Sequence, residues 1–138
     1  MNCLNKFSLI LIYFSFFTLF SQELPPINIF SPEDYGAENQ NWAITQASNK
    51  FIYAANNKGL LEYSGTNWRL YPTPNETIMR SVKSFKDKIY SGFYRDFGFW
   101  SKNNFGSLEY TSIVKKNNIQ MLEDEQIWEI VELDNWLL

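Results

Sequence analysis

Four short apolar runs, each closed by a turn signal, follow one another between Trp42 and Leu70, and this spacing constrains the fold more than any other feature of the chain. Trp42-Ala43-Ile44-Thr45 is followed by the turn residues Ser48-Asn49-Lys50, and Phe51-Ile52-Tyr53-Ala54-Ala55 by Asn56-Asn57-Lys58-Gly59. Leu60-Leu61-Glu62-Tyr63 then leads into Ser64-Gly65-Thr66-Asn67, and Trp68-Arg69-Leu70-Tyr71 alternates large apolar with polar residues. Runs of this length and composition, punctuated by Asn, Gly and Ser, read as strands joined by hairpins. Pro72 and Pro74 end the unit, because proline supplies no ladder donor.

The same grammar recurs downstream. Ile89-Tyr90-Ser91-Gly92 falls 37 positions after Ile52-Tyr53-Ala54-Ala55, and Phe99-Trp100 falls on Glu62-Tyr63 at the same offset. A third copy opens at Trp128-Glu129-Ile130-Val131, turns at Asp134-Asn135 and begins a second strand at Trp136-Leu137-Leu138. Self-similarity at about 40 to 50 residues is the signature of a β-propeller. The predicted fold is therefore all-β: an incomplete propeller of about two and a half blades of four-stranded antiparallel sheet, preceded by a signal-peptide helix. The divisions are a signal peptide over 1–21, an extended entry segment over 22–41, a first blade over 42–76, a second over 77–120 and the truncated start of a third over 121–138. A ring typically closes with about four to eight blades, so the expectation is a fragment of a longer protein. A small stand-alone β-sandwich is the alternative.

Lys6 precedes an apolar run from Phe7 to Phe20 that only Ser8, Ser15 and Thr18 interrupt, with Ser21 placed for cleavage before Gln22. The run is short for a membrane span of about 20 residues and has the layout of a signal peptide, which predicts export to the periplasm. Cys3 would leave with the leader, and the chain has no histidine. Disulfides, a cysteine nucleophile, most zinc sites and the usual general base are thereby excluded from the mature chain. No cofactor, metal site or catalytic residue is expected. Twelve basic and fifteen acidic residues give a net charge of −3, and no basic cluster exceeds Lys115-Lys116, which argues against nucleic-acid binding.

The chain then turns extended at Leu24-Pro25-Pro26-Ile27, and a strand over Ile27 to Phe30 is expected to complete the last blade of a full ring. Helix is expected in the leader alone. Glu33-Asp34 and Glu123-Asp124-Glu125 are the densest carboxylates, but their positions between strand patterns read as solvated turns. Asn56 to Gly59 has amides that a sugar would accept, yet a hairpin needs the same residues for its positive φ. Aromatic rings make up 18% of the chain. In short strands their commonest use is to fill the space between sheets. The remaining candidate is Arg95, which with Asp96 replaces the Lys58-Gly59 turn of the first unit. With Tyr94 and Trp100 it forms the predicted ligand-binding group, a charge amid rings suited to an anionic sugar. A surface ion pair is its bland alternative.

Pro25-Pro26-Ile27-Asn28-Ile29-Phe30-Ser31-Pro32-Glu33-Asp34-Tyr35-Gly36, Gln40-Asn41-Trp42-Ala43-Ile44, Tyr53, Asn56-Asn57-Lys58-Gly59-Leu60-Leu61-Glu62-Tyr63-Ser64-Gly65, Trp68-Arg69 and Arg80-Ser81 together resemble the opening of the exported sensor region of bacterial two-component regulator propeller proteins. In that family the propeller repeats precede a triple-tyrosine module, a membrane helix and a histidine-kinase or LuxR-type helix-turn-helix output. The resemblance implies a sensory segment of a transmembrane signalling or transcription regulator. It implies as partners an extracellular ligand, by family analogy a carbohydrate, together with the remaining blades and the signalling domains. With no nucleophile motif in the chain, binding is favoured over the alternative of a propeller-type carbohydrate-active enzyme.

Overall fold

The strand patterns of the sequence become two four-stranded meanders in a computed structural model that describes residues 24–138. The predicted signal peptide and its helix lie outside the described residues. β1 (Asn41–Gln46), β2 (Ile52–Asn56), β3 (Gly59–Tyr63) and β4 (Trp68–Pro72) pair antiparallel in sequence order. A second sheet repeats the order with β5 (Met79–Phe85), β6 (Lys88–Phe93), β7 (Asp96–Lys102) and β8 (Leu108–Ser112). The 37-residue offset holds across both central hairpins, since Asn56 faces Gly59 in the first and Phe93 faces Asp96 in the second. Gly59 has φ of 139°, and a Cβ there would fall 2.2 Å from the Tyr71 carbonyl oxygen. The turn requires glycine on both counts.

Alternation along each strand decides which side chains meet between the sheets. Tyr53, Ala55, Leu60 and Tyr71 from the first sheet pack with Met79, Val82, Ile89, Phe93, Trp100 and Leu108 from the second. Burial of each such large apolar side chain contributes about 1.5–3 kcal/mol. The buried Glu62 carboxylate shares this layer because two phenols satisfy it: the Tyr53 hydroxyl donates at 2.9 Å and the Tyr71 hydroxyl at 3.4 Å. On the opposite face of the first sheet Ala54 and Leu61 are covered by Tyr35, Ala37, Trp68 and Leu70. Ile44, which pairs with Ala54 on that face, stays 71% exposed.

Three expectations change. Helix is not confined to the leader: α1 (Pro32–Tyr35) and α2 (Ile113–Lys116) are single turns. In α1 the Asp34 carboxylate accepts the Ser31 N–H at 2.7 Å and hydroxyl at 2.9 Å, Pro32 fits the first helical position, and Gly36 closes the turn in the left-handed region. The Ser112 hydroxyl caps α2 by accepting from the Lys115 N–H. The strand expected over Ile27 to Phe30 is absent. Those residues are extended without a ladder partner, Ile27 and Ile29 are exposed, and Phe30 rests 5.1 Å from Tyr63 and 5.3 Å from Trp68 by ring centroid.

The third change concerns the last copy, whose first strand starts later than Trp128. β9 (Glu132–Leu133) and β10 (Trp136–Leu137) form a hairpin, with Asp134 at φ of 52° in its two-residue turn. That turn sets Leu133 against Trp136 and Val131 against Leu138. The hairpin lies beside the far face of the second sheet, where Lys83 and Glu132 pair at 3.1 Å. Between them runs a groove of about 500 Å³ lined by Phe85, Tyr90, Phe97, Ile130, Trp136 and Leu137, among others.

Candidate ligand site

Both sheets carry a β-bulge at the start of their first strand, and the bulges aim two side chains at one place. Asn41 pairs with Asn56 and Ala43 with Ala55, so Trp42 has no partner of its own. Met79 pairs with Phe93 and Ser81 with Gly92, which leaves Arg80 in the same situation. An extra residue in one strand bends it and re-aims the unpaired side chain. The Arg80 guanidinium carbon lies 4.0 Å from the centre of the Trp42 ring and 4.5 Å from that of Trp128. The two indoles are 6.0 Å apart at 80°. The cation thus sits in the corner of two nearly perpendicular aromatic walls, each attracting it through the negative face of the ring.

Hydrogen bonds hold Trp42 directly and Trp128 only through the neighbouring chain. The Trp42 indole N–H donates to Asn57 Oδ1 at 2.8 Å, and Asn57 in turn donates to Glu38 Oε2 at 2.7 Å. Asn56, fully buried, donates through Nδ2 to the carbonyls of Glu38 and Gln40 and to Asn41 Oδ1, at 2.7, 3.1 and 2.9 Å, which fixes the chain just ahead of Trp42. Arg80 Nε donates to Gln126 Oε1 at 3.0 Å. The Ser81 hydroxyl donates to the Ile127 carbonyl at 2.9 Å, and this bond leads the chain to Trp128.

The guanidinium is incompletely paired. Its Nη1 is enclosed and makes no hydrogen bond, and no carboxylate stands at ion-pair distance from it among the described residues. Both tryptophans are partly open to solvent, Trp42 at 39% and Trp128 at 58%. Two half-exposed indoles with an arginine between them form a surface that can stack a flat, weakly polar ring and give hydrogen bonds to its substituents.

The predicted group of Tyr94, Arg95 and Trp100 is divided. Tyr94 and Arg95 form the turn between β6 and β7, where they hold the segment that carries Gln126. The Tyr94 hydroxyl donates to the Glu123 carbonyl, Tyr94 bridges to Gln126, and the Arg95 N–H donates to the Glu125 carbonyl at 2.9 Å. Trp100 lies five positions along β7 from Arg95, about 16 Å at strand rise. It is buried in the inter-sheet core, and its indole donates to the Ser91 hydroxyl at 2.8 Å. Glu123 and Asp124 form an exposed turn. Asn56 and Asn57 do more than turn the chain, since both support the site. No local signal singles out Trp42 or Arg80, because the bulge that re-aims each is set by pairing with the next strand. No protein-family model, curated protein or solved structure matches the chain.

Proposed function

We propose that this chain is a ligand-sensing module of an exported bacterial regulator, its two sheets consecutive blades of a propeller and its last hairpin the start of another. On this reading it has no output activity of its own and recognises an extracellular carbohydrate. The single observation that supports it best is the convergence of Trp42 and Arg80, from the first strands of the two four-stranded sheets, with Trp128 of the segment ahead of the last hairpin. Ligand sites of repeat proteins draw on equivalent positions of neighbouring units in this way. The C–H faces of a sugar ring stack on indole, and its hydroxyls take the polar edge.

Affinity electrophoresis of the full chain through gels cast with soluble polysaccharides tests the reading. Retardation by at least one polysaccharide, and its loss in Trp42→Ala and in Trp128→Ala, is the expected result. Equal mobility in every gel would overturn it.

A further inference from the structure

We propose that the ligand of the Trp42–Trp128 corner carries a carboxylate, as a uronate sugar does, and that Arg80 receives it; this rests on the carbohydrate-binding reading above. Arginine keeps its charge at any pH the protein meets, and its five N–H donors form a rigid fork. In the described structure that fork is served by one neutral amide, the Gln126 oxygen at 3.0 Å. Nη1 has no acceptor. Leaving donors of a charged group unmet costs more than leaving neutral ones unmet, so the arrangement lacks a partner that folding does not supply.

Among the described residues no carboxylate reaches Arg80 at ion-pair distance, and two acidic side chains of the supporting segments are engaged elsewhere. Glu38 accepts from Asn57, and Glu125 accepts the Leu122 N–H at 3.0 Å. An internal carboxylate therefore does not compete for the fork. The two indoles restrain the guanidinium through cation–π contact while both residues stay partly open to solvent. A planar carboxylate matches an arginine fork with two parallel hydrogen bonds, which a neutral hydroxymethyl group does not. Access to Nη1 requires one wall to shift. Trp128 is the wall able to do so, because it is the more exposed of the two, 58% against 39%, whereas Trp42 is tied to Asn57.

Methyl β-glucuronide and methyl β-glucoside differ at C6 alone, carboxylate against hydroxymethyl, and serve as the probes. The labelled full chain is titrated with each while the indole N–H resonances are followed by NMR. The expected result is that Trp42 and Trp128 shift with the glucuronide at an apparent Kd about tenfold or more below that for the glucoside, the effect of a charge-assisted hydrogen bond. Arg80→Gln should abolish the difference, and the buried Trp100 indole reports whether that variant is folded. If it is not, Arg80→Lys and a salt titration of the native chain replace it: added salt should weaken the glucuronide and leave the glucoside unchanged. Equal affinity for both probes overturns the carboxylate proposal and leaves carbohydrate binding standing. If neither probe moves Trp42 or Trp128, both fall.

Discussion

Gly92 of β6 and Ile127 stand so close that a Cβ on the glycine would lie 2.5 Å from Ile127 Cβ and Cγ2, and 2.6 Å from the Ser81 hydroxyl. The absence of a side chain there lets the segment leading to Trp128 lie flat on the second sheet. Gly92→Ala should push Ile127 off and break the Ser81 bond to its carbonyl. The expected loss of stability is about 1–3 kcal/mol, the cost of overpacking, read as a lower denaturant midpoint. Ligand binding should fall with it, because Gln126 and Trp128 travel with Ile127.

Asn56 gives a sharper comparison between two substitutions. Its Nδ2 donates to three acceptors and its Oδ1 accepts the N–H groups of Glu38 and Lys58 at 3.3 and 3.0 Å. Asn56→Ala leaves these groups unpaired and should cost about 2–4 kcal/mol. Asn56→Asp keeps the shape but turns a carboxylate toward the Glu38 and Gln40 carbonyls, so it should be the more damaging of the two at neutral pH. Thermal melts of both variants check the order.

Alkaline stability is governed by buried phenols. Burial first, and then the hydrogen bond and charge of Glu62, hold the Tyr53 pKa well above its ordinary 10.0. Burial first, and then the Asp96 charge, raises that of Tyr110. The unfolded chain releases these protons near pH 10 while the folded chain retains them, so the stabilisation is complete below about pH 10 and is lost as pH rises above it. Denaturant midpoints from pH 8 to 12 should fall above about pH 10. Tyr110→Phe should flatten that fall. Equal slopes for native and variant chains would sink the assignment.

Exposed apolar surface should show itself as self-association. Ile44 at 71% exposure lies on an edge strand of the first sheet, and Trp136 at 74% on the last two-stranded hairpin. Patches of this kind favour contact with a second copy. Gel filtration over a range of concentrations should show the native chain enlarging, and Ile44→Glu with Trp136→Glu should shift it toward the monomer. A native chain that elutes as a monomer throughout counts against this.

Much of the fold was legible before the structure. Trp42, Ile52, Leu60 and Trp68 fall on four strands of one sheet, and Ile89 and Phe99 on a second, because short β-rich runs between Asn, Gly and Pro leave few other arrangements. The single helical turns were missed, since four-residue segments such as Ile113–Lys116 have too little length for a period to register.

The sequence by itself determined the strands of the first sheet, the antiparallel four-stranded arrangement and the 37-residue offset between the two central hairpins, because short β-rich runs and their turn residues are local signals. Tertiary structure alone decided the site. Period-two alternation assigns Trp100 and Ile44 to faces of their sheets, but it cannot say that one position will be covered and the other left bare. Trp100 is therefore a core residue with a satisfied indole, while Ile44 meets solvent. A bulge is set by pairing with the neighbouring strand, so nothing local to Trp42 or Arg80 announces that both side chains leave the alternation and meet. Their convergence with Trp128, 86 residues from Trp42, depends on how the sheets pack and on the 125–127 segment crossing Gly92. Those are long-range contacts, and a local pattern of residues carries no record of them.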